Sequence, residues 1–498
     1  MKTDASLFVE AEAASLIDQV SVFMGSHGIE CYLVGGYIRD GILGRTSRDV
    51  DLAVGGNALE IARDAADDLN GRFVLLDEEH QVARVVIQGS GGQWHLDFAS
   101  MLHSIEEDLA RRDFTINALA IELTPLQQGE NQVSLIDTLD GVRDLKSRSV
   151  KAVSEEAFRD DPARLLRAFS IAAELDFTIE EETEVLIRRD RELIKNVSSE
   201  RVRDELCQIL ETGNSAAFIR RLDYAGLLDI IFPELANCKG VEQPKEHFWN
   251  VFDHSVETVA AVERLFAALT GEGDLLKELS SAAYIAEQLE EEVAGNRTRK
   301  VSLKMAALLH DVAKPQAKQI GENGRMRFIG HDKEGAGIAE STMERLRFST
   351  REKRMVTTII EHHMRPGNLA NGEELPTRRA IYRFFRDTDD VGIDTLFLGL
   401  ADHLATRGPA LDIENWHEHV RGTQYILDKW FEEESTVSPP KLVDGHDIMG
   451  EFELPPGPKI GELLEEVREA QASGEIQSKE EALNFVRKEL DKENASKR

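Results

Sequence analysis

The sequence predicts an α/β head followed by a chain that is helical to its end, and three observations carry that division. Short β-favouring runs separated by turn residues fill its opening: 32–34 (YLV), 52–54 (LAV), 72–76 (RFVLL), 84–88 (RVVIQ) and 94–98 (WHLDF). From about Val153 onward, apolar residues recur at three- and four-residue spacing with few β-branched runs. At 498 residues the chain has room for about three or four domains, each with its own core.

Composition narrows the setting. The 41% apolar and 6% aromatic content is ordinary, and no uninterrupted apolar run reaches membrane-spanning length. The N-terminal MKTDASLFVEAEAASLIDQV has acids where a signal peptide needs bases and reads as an amphipathic helix, which predicts a cytoplasmic protein without a membrane partner. Cys31, Cys207 and Cys238 are unpaired at metal spacing and read as buried small hydrophobes. A net charge of −33, from 59 basic and 92 acidic residues, excludes nonspecific coating of nucleic acid. Basic runs at 141–151 (GVRDLKSRSVK), 297–304 (RTRKVSLK) and 345–354 (RLRFSTREKR) are either patches that follow an RNA backbone or solvated helix faces, the second being the commoner case.

The head is organised around 31–56, CYLVGGYIRDGILGRTSRDVDLAVGG. Gly35 and Gly36 close an apolar strand and let the backbone approach a bulky ligand without a Cβ in the way. Arg39, one helical turn after Gly36, can fork onto phosphate oxygens beside the N–H groups of a helix start. Asp49 and Asp51 flank Val50, so strand alternation puts both carboxylates on one face. Like charges so close need a cation. Mg²⁺, which takes few carboxylates and completes its shell with substrate phosphates, suits them, and two-metal phosphoryl or nucleotidyl transfer follows.

LVGGYIRDGILGR followed by RDVDLAV resembles the head signature of the bacterial class II tRNA nucleotidyltransferases (CCA-adding enzymes) and their poly(A) polymerase relatives that carry an HD domain. The resemblance implies a polymerase-β-like mixed sheet, catalytic metal ligands Asp49 and Asp51, and nucleotide contacts at Gly35, Gly36 and Arg39. EEDLARRDFTINALAIEL at 106–123 matches the second motif, in which Arg112 meets a phosphate while Asp113 and Asn117 bond ribose hydroxyls; a capped helix with a surface ion pair is the alternative. Asp97 is either a third carboxylate near the metals or an exposed strand position, the second being preferred. Relatives that build the whole CCA end carry an extended loop before the second motif. Here FASMLHSIEEDL runs almost directly into it, a shortening that resembles enzymes adding only the two cytidines.

In RDDPARLLRAFSIAAEL, Asp161-Pro162 makes a good helix opening, so capping alone explains both residues. The resemblance adds that Asp161 and Arg164 match an EDxxR motif that reads the base edge of C or A without a template, with Arg167 continuing the stripe. Where relatives place a further arginine, this chain has Ser170. VSSERVRDEL at 197–206 reads as a structural buttress, with Ser199 capping and Glu200 and Arg201 pairing across helices.

A second constellation follows. His254 lies in EHFWNVFDHSVETV, His310-Asp311 in LKMAALLHDVAKP and Asp402 in ADHLATRG, a donor set that a helical bundle can gather around a metal. The H…HD…D pattern resembles the HD phosphohydrolase superfamily. His331 and His363 match positions where many members carry further histidines, as ligands or phosphate contacts, and Lys314 is placed to meet a phosphate. The implied activity is metal-assisted attack of water on a phosphoester, with Mg²⁺, Mn²⁺ or Ni²⁺.

ESTVSPPKL at 434–442 reads as a linker, GHD at 445–447 as a loop, the chain after Pro458 as a helical tail, and 266–298 as an acidic helical insertion. The expected domains are a nucleotidyltransferase head at 1–145, a helical neck with base recognition and RNA binding at 146–240, an HD domain at 241–432 and a helical tail at 433–498. The expected function is template-independent transfer of CMP and AMP from CTP and ATP to the tRNA 3′ end. A CC-only enzyme and a poly(A) polymerase are the alternatives, and the oligomeric state cannot be read from sequence.

Overall fold

The computed structural model describes residues 2–4, 10–123, 134–322, 324–370, 375–435 and 441–496. The chain divides into two compact units, 1–209 with 224–230 and 210–223 with 231–498.

The first unit is built on an eight-stranded mixed sheet: β1 Lys2–Asp4, β2 Cys31–Val34, β3 Asp49–Val54, β4 Arg72–Asp77, β5 Val82–Gly89, β6 Gly92–Ser100, β7 Leu119–Glu122 and β8 Ser134–Asp137. Their order is β1-β8-β7-β2-β3-β6-β5-β4, and only β3 and β6 run parallel. β2 is buried along its whole length because it sits mid-sheet with both faces covered, which is why CYLV reads as a continuous apolar run rather than an alternating one. One face packs the helix Ile105–Ala110 over Tyr32, Val34, Ala53, Ala118 and Ala120. The helix Ala58–Asp68, capped by the Asn57 side chain, packs on β4, β5 and β6. The N-terminal helix runs over Ala11–His27, later than expected, with the strand β1 ahead of it.

The rest of this unit is helical, chiefly Arg164–Leu175, Glu181–Asp190 and Ser199–Glu211, with one small parallel pair between Ser149–Val150 and Thr178–Ile179. Arg201 pairs across helices as expected, its partner being Asp161, but the hydroxyl that accepts the Arg201 N–H is that of Ser198, with Ser199 already the first helical residue.

In the second unit, the helices Val251–Leu269, Arg299–Leu309, Thr350–His362 and Gly392–Arg407 pack on one another. Helicity is less complete than expected: 266–298 holds the end of the helix Val251–Leu269, the helix Ala282–Leu289 and the paired strands Glu292–Ala294 and Arg297–Thr298, while Lys318–Ile320 and Met326–Phe328 form another hairpin. The tail has its own core of Ile448, Leu463, Val467 and Val486. GHD at 445–447 opens the helix Gly445–Phe452 rather than a loop. Asp444 caps it, Asp447 returns a bond to the Asp444 N–H, and this capping box is a helix-start signal that the turn composition concealed. Most of the expected linker at 434–442 lies outside the described residues.

The basic runs are largely occupied within the protein. Arg297 pairs with Glu352, Arg299 with Glu291 and Asp394, and Lys304 is fully buried against the Thr212 carbonyl, so 297–304 is internal scaffolding rather than a surface patch. Arg345, Arg351 and Arg354 pair with Glu234, Glu291 and Asp389, and Arg143 with Asp140. All three cysteines are buried thiols outside any disulfide. No helix among the described residues is long and apolar enough to cross a membrane.

Candidate nucleotide cleft and metal centre

An open cleft of about 400 Å³ in the first unit is lined by Gly35, Gly36, Arg39, Asp51, Arg112, Asp113, Asn117, Asp161, Arg164 and Arg167. Every residue expected to serve catalysis or nucleotide binding in the head and neck is there except Asp49. The sheet order explains the gathering, because β2 and β3 are neighbours, Val34 faces Asp51, and the second motif leads into β7 on the other flank of β2.

Gly35 has no substitute at its position. Its φ is +75°, and a Cβ there would lie 2.9 Å from Asp51 Oδ2 and 3.1 Å from Arg112 Nη1. Burial raises the Asp51 carboxyl against the lowering pull of Arg112, with Asp97 and Asp49 adding to the rise. Asp97 stands in register with Asp51 on the parallel strand β6, and its side chain is only 20% exposed. It is therefore part of the acidic face and not an exposed position. Both of its oxygens accept from Arg84, Nε and Nη2 at 2.7 Å each.

The arginines are largely occupied by protein partners. Arg39 forks onto Asp40 through Nε and Nη2, both 3.0 Å, and donates from Nη1 to Asn117 Oδ1 at 3.0 Å. Asn117 donates to Asp113 at 3.2 Å, and Asp113 Oδ2 meets Arg167 Nε at 2.8 Å. Burial alone would raise Asp113, yet Arg167, the Phe114 N–H and the Asn117 amide hold it below the usual carboxylate range. This chain of contacts fixes the cleft wall. Arg112 pairs with Asp108, and Arg164 grips the Arg111, Arg112 and Ala157 carbonyls. Asp161 accepts the Ala163 N–H at 3.1 Å, as a cap does, and also both guanidinium nitrogens of Arg201. The helix proper begins at Arg164, not at Pro162.

Ile171, Glu174 and Gln208 complete the lining and were not among the residues expected there. A helix face advances by alternating threes and fours, so 164, 167, 171 and 174 share a side. Stepping by three alone leads instead to Ser170, which is fully buried and donates to the buried Glu205. The arginine of relatives is thus replaced here by a core hydroxyl outside the cleft lining. Glu174 holds Arg45, from the turn after the Gly36–Ile42 helix, at 2.5 Å.

The second unit brings its six predicted residues together. His254 Nε2 lies 3.0 Å from Asp402 Oδ1 and 3.5 Å from Asp311 Oδ2, and His310 Nε2 is 3.2 Å from the same Asp311 oxygen. The other Asp311 oxygen faces His331 Nε2 at 3.4 Å and His363 Nε2 at 3.9 Å. His254, His310 and Asp311 form one group able to hold a metal ion, and Asp311, His331 and His363 another.

The chemistry of the donors fits a metal. His310, His331 and His363 each place Nδ1 on a backbone carbonyl, of Ala307, Phe328 and Ile360, which aims Nε2 inward. Asp311 Oδ1 and His331 Nε2 are buried without a well-formed hydrogen bond, as ligand atoms converging on a shared point are. Burial, and then His310, push His363 down to about 4, leaving a neutral imidazole. Burial would raise Asp402, but His254 holds it well below the carboxylate range. Lys314 is not an exposed phosphate contact: its Nζ is 2.5 Å from Asp311 Oδ2 and 2.7 Å from Gln243 Oε1, and its side chain is buried. His247, overlooked in sequence because it sits in a loop, meets the His254 ring edge-on with centroids 5.5 Å apart.

Comparison with known proteins identifies the family to which these parts belong. Family models match for the poly A polymerase head domain over 31–151, a probable RNA and SrmB-binding site of polymerase A over 176–239, the HD domain over 251–407 and a putative tRNA nucleotidyltransferase domain 2 over 424–486. The chain is 33% identical to an A-adding tRNA nucleotidyltransferase of Deinococcus radiodurans, across 92% of this chain and 94% of that protein. It is 31% identical to a CC-adding tRNA nucleotidyltransferase of Thermus thermophilus, across 92% and 93%. A solved CCA-adding enzyme in its apo form shares the fold with a TM-score of 0.63 at 24% identity, over 96% of this chain and 94% of that one. A Thermotoga maritima CCA-adding enzyme solved with tRNA gives 0.61 at 23%, over 97% and 96%. A polymerase-type head with these acids, joined to an HD bundle, defines a nucleotidyltransferase. The chain belongs to the bacterial class II tRNA nucleotidyltransferase and poly(A) polymerase family with an HD domain.

Proposed function

We propose that this protein transfers CMP and AMP from CTP and ATP to the 3′ end of tRNA without a template. The observation that carries the reading is the convergence of ten predicted residues from two motifs and one helix on a single cleft. Asp49 and Asp51 would hold Mg²⁺, which would supply charge to neutralise a triphosphate and Lewis acidity toward an acceptor hydroxyl. Gly35 and Gly36 leave the space in which a phosphate comes close to the backbone, and Arg112 stands beside it. Asp161, Arg164 and Arg167 present a polar edge to the base, held in place by Arg201, the Arg111 and Arg112 carbonyls and Asp113. The division of labour follows the expected parts: head 1–145, neck 146–240, HD domain 241–432 and tail 433–498.

Incubation with tRNA lacking its CCA end and each triphosphate in turn tests this, and failure to extend such a tRNA with CTP refutes it. Two observations favour a second reading, in which the chain performs one part of CCA synthesis. Only residues 101–104 separate β6 from the helix Ile105–Ala110, and several relatives that match over nearly the whole chain are named A-adding or CC-adding. The same assay decides, since CTP alone then gives the final product, or ATP extends only tRNA that already ends in CC.

The HD centre supports metal-dependent phosphoester hydrolysis as a second activity. A divalent ion such as Mg²⁺, Mn²⁺ or Ni²⁺ would be held by His254, His310, Asp311 and Asp402, with His331 and His363 beside Asp311, and would lower the pKa of a bound water. Assay of each metal on linear and cyclic phosphate ends is the test, and no turnover with any of them leaves the bundle structural.

A further inference from the structure

We propose that His95 is a positioning residue for nucleotide addition, holding Asp49 in its ligand orientation through Nδ1. The inference rests on Asp49 being a metal ligand of the head. Asp49 is the first residue of β3, and the ladder to β2 ends at Asp51, paired with Val34, so on that flank no strand neighbour supports it. On the other flank β6 puts His95 directly opposite. The Asp49 side chain is 65% exposed and so is not fixed by packing, in contrast to Asp51, whose oxygen lies against Gly35.

Nearby donors are engaged elsewhere. The Ser47 hydroxyl bonds the Asp49 backbone N–H and carbonyl, and the Arg84 fork is taken by Asp97. His95 Nδ1 is 2.8 Å from Asp49 Oδ1, while Arg84 Nη1, itself a donor, lies 3.5 Å from that nitrogen. The geometry therefore has Nδ1–H donating to the carboxylate, with one Asp49 oxygen held and the other left for the ion. Asp49 is also the one predicted catalytic residue of the head outside the cleft lining.

Asn and Phe substitutions separate the donor from the ring. Asparagine keeps an amide N–H at the branch position of Nδ1, while phenylalanine keeps the ring and loses the donor. His95→Ala and His95→Phe should lower kcat for CMP addition by about 10- to 100-fold with KM for CTP unchanged. Mn²⁺ binding, measured by electron paramagnetic resonance with a non-hydrolysable CTP analogue, should weaken in parallel, and His95→Asn should restore both. Wild-type kcat and Mn²⁺ binding in His95→Ala overturn the proposal, as does rescue by phenylalanine equal to that by asparagine. Asp49→Ala serves as the control. If it still adds nucleotide, the ligand reading of Asp49 falls and the role of His95 with it; if it is inactive while His95→Ala is normal, only the role of His95 is lost.

Discussion

The head cleft and the HD centre solve opposite problems with the same residue types. In the head, Asp49 is mostly solvent-exposed and the cleft is open, whereas in the HD bundle His254, His310 and Asp311 are at most 1% exposed. Strands carry the head acids at the end of a ladder. Helix ends carry the HD histidines His310 and His363, which close their helices, and His331, which opens one, while Asp402 lies within the helix Gly392–Arg407. The difference is one of what must come and go. A triphosphate site must admit charge from solvent on every turnover, so Asp49 stays accessible while the arginines are braced by protein partners. The HD donors, buried and aimed by backbone carbonyls, suit an ion that stays.

The largest effects should come from the ligands, and they break the comparison if it is wrong. Asp51→Ala should reduce nucleotide addition by more than about 10³-fold while leaving thermal unfolding nearly unchanged, because the loss is a charge clamp rather than a packed contact. Near-normal addition by this variant removes the metal assignment of the head. In the HD bundle the same kind of change should behave differently. Replacing His310 and Asp311 together by alanine should strip bound metal, measured by elemental analysis of the purified protein, and end any hydrolysis of phosphate ends. Nucleotide addition should persist, and its loss in that variant would show that the two centres do not act independently.

Selectivity should move by less. If Asp161 and Arg164 read a base edge, Arg164→Ala should narrow discrimination between CTP and UTP by about 10- to 100-fold, since removing a polar partner removes the penalty on the wrong base. The measurement is the ratio of kcat/KM values. A variant that merely melts earlier at unchanged ratio assigns Arg164 to its grip on the Arg111 and Arg112 carbonyls. Gly35→Ala probes the wall opposite. Its positive φ costs a side chain about 1–3 kcal/mol, and the added methyl displaces Asp51 or Arg112, so addition should fall further than stability does.

What the sequence disclosed follows from how local each signal was. The sheet was legible because its strands are short apolar runs with turn residues between them, and strand alternation alone put Asp49 and Asp51 on one face. The cleft residues were legible as a set through two motifs. Their partners were not: nothing local tells that Arg39 is committed to Asp40 and Asn117, or that Asp161 is gripped by Arg201 some forty positions on. His95 was hidden for the same reason, because it becomes a neighbour of Asp49 only when β6 pairs parallel to β3. The basic run 297–304 misled because charge composition cannot distinguish a solvated lysine from Lys304, which folds into the core beside Glu263.

The smallest effect concerns a charge cluster that serves neither centre and so calibrates both. Arg379, Arg383 and Arg386 lie on one face of the helix Arg378–Thr388 and all reach Glu469 of the tail helix Pro458–Ala472, at 2.9, 2.7 and 2.8 Å. Glu469 is 5% exposed, and the Arg383 bond, then those of Arg379 and Arg386, outweigh burial and hold it down to about 2 from an ordinary 4.5. A carboxylate depressed by folding contributes its stability above the unfolded value and loses it as pH falls toward the folded one. The contribution is at most about 3 kcal/mol, reduced by solvent screening of the partly exposed arginines. Glu469→Gln should therefore lower the melting temperature at pH 7, and the gap to wild type should close progressively below about pH 4.5. A gap independent of pH would mean that glutamate is there for its shape, whereas a closing gap with nucleotide addition unchanged at neutral pH would mark the ion cluster as the fastening of the tail alone.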